Sequence, residues 1–127
     1  MDKKFIAFEG EKYLIEWYFN DNEKSEALAY FKSLSDDRQK KFSYLLSVMG
    51  DAGKLFNEEK FRHEGDQIYV FKPSSDRFFC FFFDGAKIII TNAYEKKSAK
   101  MPQKEKEKAL KARAIYIKRT KEGSYYD

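Results

Sequence analysis

The hydrophobic and polar positions in the first half of the chain predict one strand followed by two helices. The segment KYLIEWYF (12–19) is rich in aromatic and β-branched residues, as strands are. After the polar residues 20–22, which offer helix caps, apolar residues recur at helical spacing. These are Ala27, Leu28, Phe31 and Leu34. Together with the helix that follows, they predict a helical hairpin joined near Leu34 and Ser35.

The second helix has a start signal, an apolar stripe and a stop signal. Ser35 is a good N-cap, and Asp36 and Asp37 suit the first turn of a helix. The stripe follows the i, i+3, i+4, i+7 pattern of one buried helix face. It consists of Phe42, Leu45, Leu46 and Met49. Gly50 and Gly53 are typical of a helix end.

The second half of the chain alternates apolar runs with turn residues. We predict a polar loop (51–66) and the strands QIYVFK (67–72), RFFCFFF (77–83) and AKIIITN (86–92). PSSD (73–76) separates the first two strands. The Asp84-Gly85 pair is typical of a two-residue type I′ hairpin turn. These segments predict three strands joined as consecutive antiparallel neighbours.

A basic helix and a short tail complete the predicted elements. Pro102 suits the first turn of a helix that runs to about Arg119, with Leu110, Ala114 and Ile117 as its core stripe. We expect residues 120–127 to be a loose tail. The order β-α-α-β-β-β-α predicts an α+β fold, in which the helical hairpin packs on a small antiparallel-rich sheet. The length favours a single domain, 1–127, with its core at 13–119.

Strand register predicts where polar side chains gather. A two-residue turn at 84–85 pairs Phe83 with Ala86, and counting outward pairs Arg77 with Asn92. If residues 73–76 close regularly, Lys72 pairs with Arg77. Tyr94 then points the same way, since it lies two residues beyond Asn92. We therefore expect a polar, cationic row at the sheet end away from the 84–85 turn, unless a bulge alters the register.

Composition narrows the class of protein. Aromatic residues make up 18% of the chain, which provides ample apolar area for a core. A lone cysteine, Cys80, indicates a buried thiol and a reducing, cytoplasmic setting. We see no signal peptide and no membrane-spanning run. One cysteine and one histidine, His63, without paired-acid motifs, predict no metal site and no cofactor.

Positive charge is concentrated near the C-terminus. Residues 95–122 hold eleven lysines and arginines against four glutamates, a balance of +7, whereas the rest of the chain carries −3. Such a distribution suggests a polyanion partner, nucleic acid or an acidic protein. Charge alone favours the alternative, a solvated lysine-rich helix face.

The second half of the chain resembles a known family. The sequence IYVFKPSSDRFFCFFFDGAKIIITNAYEKKSAKMPQKEKEKAL (68–110) is similar to the core of the HigB-like, phage-derived branch of the RelE/ParE toxin superfamily. In that pattern an I-x-E-L-R strand precedes an Arg-led apolar strand, an Asp-Gly turn and F-x-K-K-x-x-K-x-P before a basic helix. IYVFK (68–72), DRFF (76–79) and YEKKSAKMP (94–102) stand in these places. The resemblance extends over residues 13–119.

The resemblance implies a RelE-like fold and the toxin of a type II toxin–antitoxin pair. Such toxins are usually endoribonucleases that cut mRNA on the ribosome without a metal, held in check by an antitoxin, here expected to be a HigA-like helix-turn-helix protein. By position, Lys72 replaces the motif's Arg, Arg77 matches the Arg that opens the next strand, and Lys96, Lys97 and Lys100 match its lysines.

Chemistry assigns expected roles to these side chains. RNA cleavage through the ribose 2′-OH needs a base, an acid and cations around the phosphate. Lys72, Arg77 and Tyr94 are the expected catalytic residues, with Arg77 as the phosphate clamp. The expected RNA-binding residues are Asn92, Lys96, Lys97 and Lys100.

Two departures from the family pattern keep other functions open. Lys72 exchanges a bidentate guanidinium for a point charge, and NAY (92–94) lacks a histidine that relatives often carry. A binding module on the same scaffold, with little or no nuclease activity, is one alternative. Gyrase poisoning, as in ParE-like relatives, is another, although the C-terminal motif fits the HigB-like pattern better.

Overall fold

The computed structural model describes residues 2–54 and 57–126. Its elements are a short 3-10 helix (Lys3–Phe5), β1 (Ile6–Glu9), β2 (Leu14–Trp17), α1 (Glu26–Ser33), α2 (Asp36–Ala52), β3 (Phe61–His63), β4 (Tyr69–Phe71), β5 (Asp76–Phe83), β6 (Lys87–Glu95) and α3 (Gln103–Glu122). The predicted helices and strands are present. Two short strands, β1 and β3, are additions to the predicted order.

The strands form one mixed sheet in the order β1-β2-β6-β5-β4-β3. β2 and β6 are parallel, and the other neighbouring pairs are antiparallel. The helical crossover α1–α2 separates β1 and β2 from β3–β6 in sequence, as the parallel pairing of β2 with β6 requires. The protein is therefore an α+β fold with an antiparallel-rich sheet, consistent with the RelE-like architecture.

The helices cover both faces of the sheet. Side chains alternate along β5, so Phe78 and Cys80 join the core under the α1–α2 hairpin, while Phe79 and Phe81 join the core under α3. Phe78 stacks on Phe42 of α2 with ring centroids 3.7 Å apart. Burial on both faces explains why β5 reads as an unbroken apolar run rather than an alternating one.

The helix caps follow the predicted chemistry at most positions. The Ser35 hydroxyl accepts a hydrogen bond from the Arg38 N–H, and Gly53 ends α2 in the left-handed conformation. α1 is capped by Ser25 rather than by residues 20–22. The predicted α3 stripe is right in part: Leu110 and Ile117 pack against the core at its edge, whereas Ala114 is exposed. The centre of the buried face is formed by Ala109, Ala112 and Tyr116.

The predicted hairpin register is also wrong. Phe83 pairs with Lys87, so the turn contains three residues rather than two, with Asp84 and Gly85 both at positive φ. A second one-residue shift occurs at Thr91, where a bulge interrupts the ladder between Phe79 and Cys80. The two shifts add, so Arg77 pairs with Tyr94 and Phe79 pairs with Asn92.

The described part of the C-terminal segment is packed, in contrast to the loose tail that we expected. Gly123 ends α3, and the chain then turns so that the Tyr125 side chain is buried. The Tyr126 hydroxyl donates to Glu16 Oε1 at 2.8 Å, and Lys87 Nζ lies 3.0 Å from Glu16 Oε2. Glu16 is fully buried and needs these partners, which residues distant in sequence supply.

We predict that Tyr126→Phe lowers the free energy of unfolding by about 1–3 kcal/mol, because it leaves a buried carboxylate oxygen without its donor. Urea denaturation followed by circular dichroism measures the change. Tyr44→Phe is the matched control, since Tyr44 is 67% exposed; its effect should stay within about 0.5 kcal/mol. Equal stability of the Tyr126→Phe variant and the wild-type protein would contradict this account of the tail.

Candidate nucleic-acid interface

The ends of β3–β6 form a pocket of about 270 Å³ whose charged lining residues are mostly cationic. We call it the cationic pocket. It is lined by Arg62, Glu64, Val70, Lys72, Arg77, Tyr94, Lys96, Ser98, Ala99 and Met101. Four basic side chains stand against a single carboxylate, so an anion is the ligand that this wall favours.

Sheet register brings these side chains onto one face. Arg62 pairs with Val70, and Arg77 pairs with Tyr94. The β4–β5 ladder ends with Phe71 opposite Phe78, and one further step outward places Lys72 opposite Arg77. Paired residues share a face, so the cations converge across neighbouring strands.

The Arg77 guanidinium is held by carbonyl groups of its own chain segment. Its Nη1 donates to the Ser74 carbonyl at 2.6 Å and to the Asp76 carbonyl at 2.9 Å. These acceptors carry no net charge. The guanidinium is therefore oriented while its positive charge and its other donors stay available to a ligand.

Lys72 lies in a cationic and partly desolvated setting. Burial lowers its pKa, and the nearby guanidinium groups of Arg77 and Arg62 lower it further, while Glu64 opposes them. A lysine in such surroundings gives up its proton more readily than an exposed one. Lys72 can thus serve as a phosphate contact or take part in proton transfer.

Tyr94 has the opposite tendency. Burial raises the pKa of its hydroxyl above the usual value, with Arg77 lowering it and Glu105 raising it. The hydroxyl therefore keeps its proton at neutral pH and can donate it. Its ring packs near Phe79, with centroids 6.0 Å apart, which fixes the side chain beside the pocket.

Two charged residues of the cationic pocket, Arg62 and Glu64, were not predicted from the sequence. Arg62 Nε lies 3.6 Å from Glu64 Oε1, and both belong to the segment that we predicted to be a loop. β3 is only three residues long, too short for a readable alternation, and it exists because it pairs with β4. No local signal in residues 51–66 indicates this pairing.

The remaining predicted site residues lie elsewhere. Asn92 shares a face with Arg77 but sits deeper, 2% exposed, and its amide donates to the Glu105 carbonyl and to Glu105 Oε1. Lys97 and Lys100 are exposed in the segment after β6, interleaved with lining residues of the pocket. His63 lies on the opposite face, where its ring contacts Tyr69.

Two further findings concern other kinds of site. Among residues 2–54 and 57–126, no group of three or more His, Cys, Asp or Glu side chains is placed to hold a metal ion. None of the helices in that part of the chain is long and apolar enough to cross a membrane.

Fold and pocket together define a small α+β protein of RelE-like architecture with a cationic pocket at the sheet rim. A comparison with protein families identifies the family: the model for phage derived protein Gp49-like (DUF891) matches residues 29–114. The chain belongs to this family of RelE-like, toxin-like proteins. No curated protein matches the chain.

We predict that Lys72→Met stabilises the protein at neutral pH by roughly 0.5 kcal/mol, as the removal of an unfavourable surface charge typically does. The pKa of Lys72 is lower in the folded state, so between the two pKa values the unfolded chain binds more protons. Wild-type stability should therefore rise with pH in that range, and the advantage of the variant should shrink.

Thermal unfolding at pH 7 and at higher pH values measures this difference. Lys118→Met is the matched control, since Lys118 is exposed on α3, outside the cationic pocket. A Lys72→Met variant less stable than wild type at pH 7 would show that the pocket does not disfavour the charge.

Proposed function

We propose that this protein is the toxin of a type II toxin–antitoxin system, of the HigB-like kind, and that it cleaves mRNA on the ribosome without a metal. The observation that carries the proposal is the convergence of Lys72, Arg77, Tyr94 and Lys96 on one pocket. Membership of a family of toxin-like proteins supports the same conclusion.

The proposed reaction is attack of a ribose 2′-OH on the adjacent phosphorus, with release of the 5′-oxygen. Arg77 and Lys72 bind the phosphate and stabilise the charge that builds on its oxygens. Glu64, the carboxylate on the pocket wall, accepts the 2′-OH proton. Tyr94, whose pKa is raised by burial, donates a proton to the leaving oxygen.

The lysines beyond the pocket extend the proposed RNA surface. Lys96 lines the pocket, and Lys97 and Lys100 follow it in an exposed segment. Ammonium groups on flexible stems suit contacts with flanking phosphates or with ribosomal RNA, because such contacts require charge rather than fixed geometry. Affinity for RNA should accordingly fall with salt concentration.

The proposed partner is a cognate antitoxin, a HigA-like helix-turn-helix protein. A nuclease that cuts the cell's own messages must be neutralised until it is needed. A small helix-turn-helix gene next to the gene of this protein is the expected source. Co-expression of that neighbour should restore growth, and failure to do so would remove it as the partner.

We predict that induced expression of the wild-type protein stops growth and leads to cleavage of mRNA. The Arg77→Ala variant should cleave mRNA on purified translating ribosomes about 100-fold more slowly or worse, because the phosphate loses its bidentate donor. Primer extension on the ribosome-bound message measures the cuts. Lys118→Ala, a charge removed outside the pocket, should leave cleavage unchanged. Full toxicity of Arg77→Ala would overturn the catalytic assignment.

A binding module without nuclease activity is the second candidate. Two observations favour it: Lys72 replaces the arginine of the family pattern, and His63 lies away from the pocket. The same ribosome experiment separates the two functions. Sedimentation of the protein with ribosomes, combined with intact mRNA at saturating protein, would support the binding module.

A further inference from the structure

A buried carboxylate lies directly behind the cationic pocket. Asp76, the first residue of β5, is fully buried on the face covered by the α1–α2 hairpin. Arg38 of α2 donates to both of its carboxylate oxygens, with Nε 3.0 Å from Oδ2. The Tyr30 hydroxyl of α1 donates to Oδ1, and Ser74 Oγ lies 3.4 Å from Oδ2. We call Arg38, Tyr30 and Asp76 the clasp.

Residues 74–76, which end at the clasp residue Asp76, also contact two basic residues of the pocket, Arg77 and Lys96. The carbonyl groups of Ser74 and Asp76 accept the two hydrogen bonds from Arg77 Nη1. The carbonyl between them, that of Ser75, accepts a hydrogen bond from the Lys96 N–H at 2.7 Å. Three successive carbonyls therefore hold the Arg77 side chain and the Lys96 backbone.

The clasp and the pocket lie on opposite faces of the sheet, and they are linked because Asp76 and Arg77 are consecutive residues of β5. Successive side chains of a strand point to opposite faces. Asp76 consequently points to the helical hairpin, and Arg77 points to the pocket. A displacement of Asp76 would therefore shift the carbonyl groups of Ser74 and Asp76, which accept hydrogen bonds from the Arg77 guanidinium.

We propose that the clasp is a positioning device for the cationic pocket: Arg38 and Tyr30, from the two helices of the hairpin, fix Asp76 and thereby the orientation of the Arg77 guanidinium. Arg38 and Tyr30 are positioning residues, since neither lines the pocket. The effect on RNA rests on the proposed function of Arg77, whereas the mechanical coupling of the clasp to Arg77 does not.

The cost of this arrangement argues for a role beyond stability. Burying a carboxylate is expensive unless it is fully paired, and apolar residues of similar volume often stabilise a fold equally well. Phe42 and Phe78 already fill the adjacent core by stacking. Unlike an apolar side chain, the Asp76 carboxylate accepts directional hydrogen bonds, which fix the position of the start of β5.

The direct test uses side-chain NMR of the full chain labelled with ¹⁵N, in wild type and in Arg38→Gln. Arg38 has a side chain that is 32% exposed, so this variant is milder than any substitution of the buried Asp76. We expect faster rotation of the Arg77 guanidinium about its Nε–Cζ bond in Arg38→Gln. Unchanged rotation would overturn the coupling, whether or not the protein binds RNA.

A double-mutant cycle tests the functional consequence, with a fluorescent single-stranded RNA as the probe. Arg38→Gln should weaken binding about tenfold in the wild-type background, the scale of one charge-assisted contact. In the Arg77→Gln background the same change should have no further effect, because its target is gone. Equal losses in both backgrounds would overturn a role exerted through Arg77.

Matched controls distinguish positioning from a general loss of structure or charge. Lys41→Gln removes a cation from the same helix and breaks an exposed ion pair with Asp37, 3.1 Å apart; it should leave both readouts unchanged. Tyr30→Phe keeps the ion pair and should give a smaller effect in the same direction. Absence of RNA binding by wild type would count against the proposed function, while the NMR result would still decide on the clasp.

Discussion

Burial of β5 on both faces is the constraint on which the rest of the structure depends. From Phe78 to Phe81 its side chains enter two separate cores, so no charged side chain can stand along the middle of the strand. The charged residues of β5 are confined to its first two positions, Asp76 and Arg77. The position of the site at the sheet rim follows from this packing.

Two buried carboxylates are stabilised in the same way. Glu16 is held by Lys87 and the Tyr126 hydroxyl, and Asp76 by Arg38 and the Tyr30 hydroxyl. In each case a cation and a tyrosine come from elements distant in sequence. These contacts join distant parts of the chain at two places, the C-terminal segment and the start of β5.

Elements with a clear local signal were predictable from the sequence, and several contacts between distant elements were not. The α2 stripe ending at Met49 has the period of a helix, and the apolar run of β5 is short, rich in aromatic residues and bounded by turn residues, as a buried strand is. β3 and the packed position of Tyr125 depend on partners far away in the chain. The tail appeared loose because its short polar sequence does not reveal that Glu16 needs a hydroxyl donor.

The candidate site was largely predictable in spite of a wrong register, for a geometric reason. One extra turn residue and the bulge at Thr91 each shift the pairing by one, and two such shifts restore the original face. Arg77, Lys72 and Tyr94 therefore still meet, whereas Asn92 moves under α3. Arg62 and Glu64 were not predictable, because a three-residue strand has no readable period.

The manner in which Arg77 is held explains how a cationic pocket persists without being neutralised. A carboxylate partner would orient the guanidinium more strongly, but it would also cancel the charge that a phosphate must meet. Neutral carbonyls orient it and leave the charge in place. Asp76, the negatively charged residue at the start of β5, points to the opposite face of the sheet and forms an ion pair with Arg38 there. The fold thereby keeps the Asp76 carboxylate, which fixes the start of the strand, apart from the Arg77 guanidinium, which faces the pocket.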